Sequence, residues 1–477
     1  MRLAHISSVV GVCATTVVGL TVVGGADAAA NPSKSGASSD RAGGAQVWVS
    51  RDSGPQNAYD RVGGMAVSPD GSTVYVARTS GRVFAVVARD ASTGMRTWGV
   101  RTSGPGGAQI FAEALGLSPD GSRLFVTGDV EETIDERSAF TVAYDTSDGS
   151  ILWSAQRLVG NNKEFIPRRI AVSPGGARLF VTGSRTGKHG INDFWDYLTV
   201  GYSTADGSKM WSAAYDGPAH RGDTAEGIGI SPDGNRVFVT GTSAASGDSR
   251  DFATIAYAAA DGSEEWSSRF VAGADNFASD LVVGLTGSRV YVAGLGRPPL
   301  NVPYSYRLVS YNAVTGAQAG VARYADGRND NASDLTISSD GSRLFVTGSG
   351  GPDFLTVAFD VPLHAPLWAA RYDGGHGSDN AYSLAVNPDG TRVYVTGESE
   401  TGRIACFGEV PSTAYATVAY HAATGSPGWV SRYGGLSKHP DSARQVAVSP
   451  DGSLVFVTGD SDSGCTGSDV ATLAYAR

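Results

Sequence analysis

The chain has 477 residues, a formal net charge of −10 and a sequence pI near 5.2. This acidity excludes a protein that binds nucleic acid through its phosphates, because such binding requires a basic face. Glycine supplies 64 residues, nearly twice its ordinary share, which together with β-branched and aromatic runs indicates many short strands joined by tight turns.

Residues 1–30 have the pattern of a secretory signal peptide. Arg2 precedes an uncharged run of apolar and small residues over 6–25, and cleavage sites follow at Ala28 and Ala30. A membrane anchor is the alternative, but the run is short and rich in Gly, Ser and Thr. We therefore expect an exported, extracellular protein without a membrane anchor.

A polar, Gly/Ser-rich stretch over 31–44 predicts a flexible linker, and a repeated phrase then runs through residues 45–477. The phrase, as in AVSPDGSTVYVA from Ala66, joins two apolar strands through a turn that contains glycine. Repeats of 49 to 62 residues are typical of propeller blades, so eight turns predict an all-β, eight-bladed β-propeller. The turn glycines are Gly71, Gly121, Gly176, Gly234, Gly287, Gly341, Gly390 and Gly452.

Each unit divides into four antiparallel strands, here named a to d from the centre outward. A variable loop joins b to c, and strand d carries a tryptophan four residues after a turn glycine, as Gly262 and Trp266 show. In the fifth unit Gly320 replaces that tryptophan. The position predicts apolar wedges between blades rather than a cofactor site. It is occupied by Trp48, Trp98, Trp153, Trp211, Trp266, Trp368 and Trp429.

The two ends of the repeat region complement each other. The chain ends after a strand c over 470–475, whereas the mature chain begins with a lone strand d over 46–50. The first strand should therefore complete the last blade and close the ring without open sheet edges.

Two family resemblances accompany this pattern. The stretch from Tyr215 to Phe270 resembles the bacterial SBBP-type β-propeller repeat, which joins Tyr-x-Gly, Asp-x-Ala, a VTG strand and a Trp strand. The segment YDTSDGSILW from Tyr144 resembles the repeat of quinoprotein (PQQ-type) dehydrogenases and their non-enzymatic scaffold relatives. Both imply a propeller and leave function open. Quinoprotein dehydrogenases typically place a disulfide of adjacent cysteines against the cofactor, and the absence of neighbouring cysteines here argues against a redox role.

In a propeller the a–b and c–d turns lie on one face, and the b–c and d–a loops lie on the other. The first set, the turn face, is short and uniform in this sequence, whereas the second set, the loop face, varies. Variable loops on a regular scaffold usually carry function. We therefore expect binding at the loop face, with the long stretches 294–305 and 397–414 as candidate walls.

An acidic residue recurs before the inner strand in five d–a loops. Carboxylates converging on a channel mouth could hold a hard cation such as Ca²⁺. Alternatively, each aspartate accepts backbone N–H bonds and holds its own turn, and repetition in five units favours this structural role. The residues are Asp223, Asp275, Asp330, Asp379 and Asp441.

Histidines and one unusual tryptophan also fall on the loop face. The histidines could form a metal or acid–base cluster, but they come from separate blades without ligand spacing, which favours solvent exposure. Trp195 lies outside the repeat, in a b–c loop, where it could stack on a sugar or pack over the neighbouring blade. The histidines are His189, His220, His376 and His439.

Cys406 and Cys465 lie in equivalent b–c loops of adjacent blades. Two cysteines in an exported chain predict one disulfide, which would join the last two blades. A reactive thiol pair is the alternative.

No Gly-x-Ser-x-Gly, Cys-x-x-Cys, His-Glu-x-x-His or P-loop motif occurs in the sequence. The favoured hypothesis is a monomeric, non-catalytic extracellular scaffold that binds a glycan, small molecule or protein, with Ca²⁺ as the one cofactor considered. The alternative is an extracellular enzyme on the loop face, either a glycan hydrolase or lyase or a quinoprotein-like oxidoreductase.

Overall fold

The computed structural model describes residues 43–54, 59–133, 136–157, 164–189, 192–245, 249–273, 275–297, 302–361, 363, 365–405, 409–434, 440–464 and 467–477. Within these ranges, 32 strands form eight four-stranded antiparallel sheets, which confirms the predicted eight-bladed, all-β propeller. The predicted signal peptide, most of the linker, Cys406, Cys465 and His439 lie outside the described residues. The described part contains no helix long and apolar enough to cross a membrane.

The strands follow the predicted a-b-c-d order in every blade. Blade 1 contains β2 (Asp60–Val67), β3 (Thr73–Ser80), β4 (Val83–Asp90) and β5 (Arg96–Thr102). A short 3-10 helix (Pro105–Gly107) leads to blade 2, with β6 (Gln109–Leu117), β7 (Arg123–Thr133), β8 (Glu136–Asp145) and β9 (Ile151–Arg157). Blade 3 contains β10 (Phe165–Val172), β11 (Arg178–His189), β12 (Asn192–Ser203) and β13 (Lys209–Tyr215). Blade 4 contains β14 (Asp223–Ile230), β15 (Arg236–Ala244), β16 (Arg250–Ala258) and β17 (Glu264–Phe270).

The second half of the ring repeats this plan. Blade 5 contains β18 (Asn276–Val283), β19 (Arg289–Gly296), β20 (Ser305–Asn312) and β21 (Gln318–Tyr324). Blade 6 contains β22 (Asp330–Ile337), β23 (Arg343–Gly350), β24 (Asp353–Asp360) and β25 (Pro366–Tyr372). Blade 7 contains β26 (Asp379–Val386), β27 (Arg392–Ala405), β28 (Glu409–His421) and β29 (Pro427–Tyr433). Blade 8 contains β30 (Asp441–Val448), β31 (Leu454–Gly464), β32 (Gly467–Ala476) and the amino-terminal β1 (Gln46–Asp52).

Pairing of β1 with β32 confirms the predicted closure of the ring. Val49 lies opposite Leu473 in this ladder, and the Gly44 N–H donates to the Ala476 carbonyl over 2.9 Å. Nearer the axis, the Gln445 amide in blade 8 joins the Met65 backbone in blade 1, accepting from its N–H (2.6 Å) and donating to its carbonyl (3.2 Å). Blades 8 and 1 are therefore joined at both the inner and the outer strands.

The repeated tryptophans act as the predicted wedges. Each covers a glycine of the next blade, which lies in the c–d turn in six cases and is Gly44, just before β1, in the seventh. A Cβ on Gly316 would lie only 2.7 Å from the Trp266 ring. Gly316 also has a φ of +69°, so the turn needs glycine for both its backbone and its close contact. The Trp266 indole N–H donates to the Ala313 carbonyl over 3.1 Å. These contacts lock adjacent blades together.

The junction of blades 5 and 6 reverses this arrangement. Gly320 occupies the wedge position in blade 5, and the facing turn of blade 6 carries a leucine, Leu363, with a φ of 82°. Leu363 is buried and packs in one core with Tyr291 of blade 5. A left-handed leucine costs about 1–2 kcal/mol, which burying its side chain offsets. The turn therefore supplies the apolar group that the wedge lacks.

A buried threonine pair explains the recurring VTG phrase. In six blades the threonine of strand b meets a threonine of strand c, as Thr240 and Thr254 do at 2.9 Å between hydroxyl oxygens. In blades 1 and 5 the corresponding pairs are apolar, and in blade 5 they are Ala293 and Leu308. Blade 5 thus departs from the repeat at a second place.

Candidate functional site

The loop face is uneven because four b–c hairpins continue beyond the others. Strand β27 runs to Ala405, 15 residues past Gly390, whereas β3 ends nine residues past Gly71. The long hairpins belong to blades 2, 3, 7 and 8, so in ring order they flank blade 1 on both sides. At about 3.3 Å per strand residue they extend roughly 10–20 Å farther than the hairpin of blade 1. We name these two pairs the hairpin walls.

Tyr59 lies between the hairpin walls, in the loop that leads from β1 into blade 1. Its side chain is 70% exposed, although its backbone is held by a bridge to Ser468 in β32. The Ser468 hydroxyl also donates to the Asp60 carbonyl over 2.7 Å. An exposed aromatic side chain on a held backbone is a typical anchor for a protein partner. Sequence reasoning missed Tyr59, although it is the aromatic exception at a position that small or polar residues or a proline occupy in five other blades: Gly222, Asp275, Asn329, Ser378 and Pro440.

Four of the five recurring acids, all except Asp275, occupy the first position of the inner strand. These four are at most 2% exposed, so they lie beneath the loop face rather than on it. In blade 5 the equivalent residue is Asn276, not Asp275, because Asn276 pairs with Gly296 as Asp223 pairs with Ser243. The set also includes one residue that sequence reasoning overlooked, Asp60. Its members are Asp60, Asp223, Asp330, Asp379 and Asp441.

The contacts of these acids support the structural role. The Asp223 carboxylate accepts the Gly217 N–H over 2.6 Å and the Ala244 N–H over 3.0 Å, which ties the d–a loop to strand b. The Asp379 carboxylate likewise accepts the Gly374 N–H over 2.6 Å. Burial raises the pKa of Asp223 and Asp379, and it raises the pKa of Asp330 to about 6. Asp223 and Asp379 therefore each hold the d–a loop that precedes them.

Two of the acids nevertheless meet further carboxylates at blade junctions 3/4 and 6/7. Oxygen ligands of this kind suit Ca²⁺. Each cluster already has an arginine partner, since Arg185 lies 3.4 Å from Asp196 and Arg328 lies 2.8 Å from Asp353. Calcium binding remains a prediction. Oxygens within 4.8 Å of one another come from Asp196, Asp216 and Asp223 in one group and from Asp353, Asp373 and Asp379 in the other.

The remaining candidates are spread over the loop face. His220 is exposed and lies 2.7 Å from the Asp216 carboxylate, and this hydrogen bond raises the pKa of the imidazole. His376 is exposed on the equivalent loop at junction 6/7. Trp195 is partly buried and pairs with Thr186 in the extended β11–β12 hairpin, so it belongs to a hairpin wall rather than to a loop. The side chain of His189 lies outside the described part of the chain.

Asp129 is a buried acid that sequence reasoning missed. The equivalent Asp460 in blade 8 accepts the Val62 N–H of the next inner strand over 2.9 Å. At Asp129 the next strand has Pro167 at that position, which has no N–H to donate. Burial and the nearby Glu113 carboxylate raise the pKa of Asp129 to about 7. Asp129 is thus a buried acid with its pKa raised by burial and by Glu113, at a junction where the next strand has no N–H at the equivalent position.

This architecture and its repeat define a PQQ-type β-propeller. The chain matches the family model described as outer membrane protein assembly factor BamB over residues 37–192 and 196–409, and it therefore belongs to that family. The PQQ-type resemblance is confirmed, whereas the SBBP-type resemblance remains a prediction. No curated protein matches the chain.

Solved structures support the fold at low sequence identity. BamB from Moraxella catarrhalis is 14% identical with a TM-score of 0.53, covering 91% of this chain and 99% of that one. Sqt1 from Chaetomium thermophilum, bound to the N-terminus of ribosomal protein L10, is 14% identical with a TM-score of 0.56, covering 88% and 98%. Quinohemoprotein alcohol dehydrogenase from Comamonas testosteroni is 12% identical with a TM-score of 0.53, covering 90% and 76%. The propeller architecture is thus shared by an assembly factor, by a protein solved with a bound protein segment and by an enzyme.

Proposed function

We propose that this protein is an exported, non-catalytic scaffold that binds a partner protein on its loop face. The observation that carries the proposal is the exposed Tyr59, on a held backbone between the two hairpin walls. The turn face presents short, uniform turns instead. Two of the similar proteins support a role in protein interaction. BamB is described as an outer membrane protein assembly factor, and Sqt1 was solved bound to the N-terminus of ribosomal protein L10.

The geometry suits a standard interface. A protein partner of ordinary size covers about 800 Å² per side, and a few central aromatic residues usually dominate its binding energy. The Tyr59 backbone is already held by its bridge to Ser468, so binding has to order only the side chain. The hairpin walls would exclude water around it.

A photo-crosslinking amino acid tests the proposal in the native host. Tyr59 and Met95 are both 70% exposed, and both lie next to strands of blade 1. Tyr59 lies in the loop that enters this blade on the loop face, whereas Met95 lies in its c–d turn on the turn face. We expect a specific protein crosslink from position 59 and none from position 95. Tyr59→Ala should weaken the isolated complex by about 30-fold, corresponding to about 2 kcal/mol, while Met95→Ala leaves it unchanged. Equal crosslinking from both positions would contradict a loop-face interface.

Export and the disulfide are parts of this proposal that mass spectrometry tests together. The mature protein recovered outside the cytoplasm should begin after Ala28 or Ala30. Its mass should increase by two hydrogens on reduction, because Cys406 and Cys465 are the cysteines that remain. An intact residue 1–30 segment, or two free thiols, would count against export or against the bridge.

A further inference from the structure

Strand d carries an arginine at one register position in six blades, and in three of them an ion pair with an acid of the same blade balances its charge. In blade 4, Arg269 lies 3.0 Å from Asp251, the acid near the start of strand c. In blades 6 and 8 the corresponding distances are 3.7 and 3.6 Å, from Arg371 and from Arg51. In these three blades the arginine thus has a carboxylate partner in strand c of its own blade. The full set is Arg51, Arg101, Arg269, Arg323, Arg371 and Arg432.

Blade 5 keeps the arginine, Arg323, but lacks the strand c acid, and it also lacks the inner-strand aspartate that the other five blades with this arginine retain. Ser305 stands at the position of Asp251, and Asn276 stands where the inner-strand aspartate is found elsewhere. The Arg323 Nε–H donates to the neutral Ser305 hydroxyl over 3.2 Å. Within the described residues Arg323 therefore has no ion pair.

A second arginine, Arg307, lies directly opposite Arg323 in the β20–β21 ladder. Residues opposite each other in a ladder point to the same face of the sheet, and like charges there destabilise it. The other five blades with this arginine avoid the conflict by placing a small or apolar residue opposite it. Those residues are Ala85, Ala253, Leu355, Ala416 and Ala471.

The surroundings are shaped for Arg307 but do not neutralise it. Gly296 stands beside its side chain, where a Cβ would collide with the Arg307 side chain. The Arg307 Nε is buried without a hydrogen-bond partner, and this side chain makes no ion pair among the described residues. Burial and the charge of Arg323 both lower the pKa of Arg307. An unpaired, partly buried cation is costly unless something neutralises it.

We propose that Arg307 and Arg323 form an oxyanion site that binds one carboxylate, with the Ser305 hydroxyl beside it. Guanidinium groups present parallel N–H donors that match the two oxygens of a carboxylate. A monoanion suits this protein better than a phosphate dianion, because the chain carries a net charge of −10. Assigning that carboxylate to an acidic side chain of the partner protein rests on the proposed function, whereas the site itself does not.

Thermal unfolding in sodium acetate against sodium chloride, at equal ionic strength, tests the site in the isolated protein. A ligand that binds the folded state raises the unfolding midpoint, and acetate near tenfold above its dissociation constant should raise it by about 1–2 °C. Arg307→Leu should abolish the increment without lowering the midpoint in chloride, because Leu198 and Leu355 occupy this position in other blades. Ser305→Asp should abolish it by giving Arg323 an internal partner.

The matched control is Arg269→Ala in blade 4, which should lower the midpoint yet keep the acetate increment. An increment that persists in both blade 5 variants would overturn the proposal, as would a response to inorganic phosphate without one to acetate. A large loss of stability in chloride on Arg307→Leu would also overturn it, by showing a structural role. Because no partner is present in this measurement, its outcome is independent of the Tyr59 crosslinking.

Discussion

Blades 4 and 5 are neighbours with the same four-strand plan, but their side chains differ at the wedge position, at the threonine pair and around the strand d arginine. Blade 4 contains the full repeat, with the wedge Trp266, the threonine pair and an arginine balanced by Asp251. Blade 5 has the same backbone ladder with Gly320 at the wedge position and the unbalanced Arg307 opposite Arg323.

The difference shows which parts of the repeat hold the ring together. At the wedge position the lost group is replaced from the facing turn by Leu363, which keeps the core filled. At the charged position nothing described replaces the lost acids. A repeat thus provides its own reference: the change at the wedge position is compensated by Leu363, and the change at the charged position is the basis of the proposed oxyanion site.

The wedge should give the largest effect. Trp266→Ala should destabilise the protein by about 3–5 kcal/mol, because it opens a cavity against Phe238 and Tyr311 and removes a hydrogen bond. Gly320→Ala, the control in blade 5, should change stability by less than about 1 kcal/mol. Guanidinium unfolding of both variants measures the contrast. Similar losses would mean that the two blades do not differ at this position.

The residue at the first position of the inner strand should make stability depend on pH in blade 6 but not in blade 5. Blade 6 has Asp330, whose pKa is raised from 3.8 to about 6, whereas blade 5 has Asn276, which does not titrate. The folded state holds the Asp330 proton more tightly than the unfolded chain does, so stability should fall as pH rises from about 4 to about 6. Asp330→Asn should remove a decline on the order of 1 kcal/mol. Unfolding midpoints at pH 4 and 7 report it, and an identical decline in both proteins would assign the effect elsewhere.

The threonine pair should give the smallest effect. Thr254→Val in blade 4 should cost about 1 kcal/mol, because it leaves the buried Thr240 hydroxyl with only its 3.2 Å bond to the Ala253 carbonyl. Replacing both threonines by the Ala and Leu of blade 5 should restore stability to within about 0.5 kcal/mol. A double-mutant cycle measures the coupling. Additive losses would show that the two hydroxyls act separately.

Blade number, ring closure and the wedges could be predicted because each depends on a local pattern that recurs along the chain. Gly316 illustrates this, since its positive φ and its contact with the preceding wedge both demand glycine. The exposure of Tyr59 and the juxtaposition of Arg307 and Arg323 could not be predicted in this way. They depend on strand register and on contacts between residues from different segments. Trp195 shows the same limit, because sequence alone does not reveal how far a hairpin continues to pair.

Assigning the blade 5 acid to Asp275 failed for a related reason. Loop lengths differ between blades, so a recurring residue type can be displaced by one position from its equivalent. The ladder settles the assignment, because Asn276 pairs with Gly296 as Asp223 pairs with Ser243. Side chains on successive strand positions face opposite ways, so a displacement of one residue changes which neighbour is met.

The pairing of β1 with β32 has a consequence for how this molecule is made. The first strand leaves the ribosome hundreds of residues before its partner, and a pairing of such high contact order forms slowly. Until then β1 is an unpaired edge, and β32 lacks its outer neighbour. Loss of a few residues at the carboxyl terminus should therefore release the amino-terminal strand and leave an incomplete ring prone to self-association.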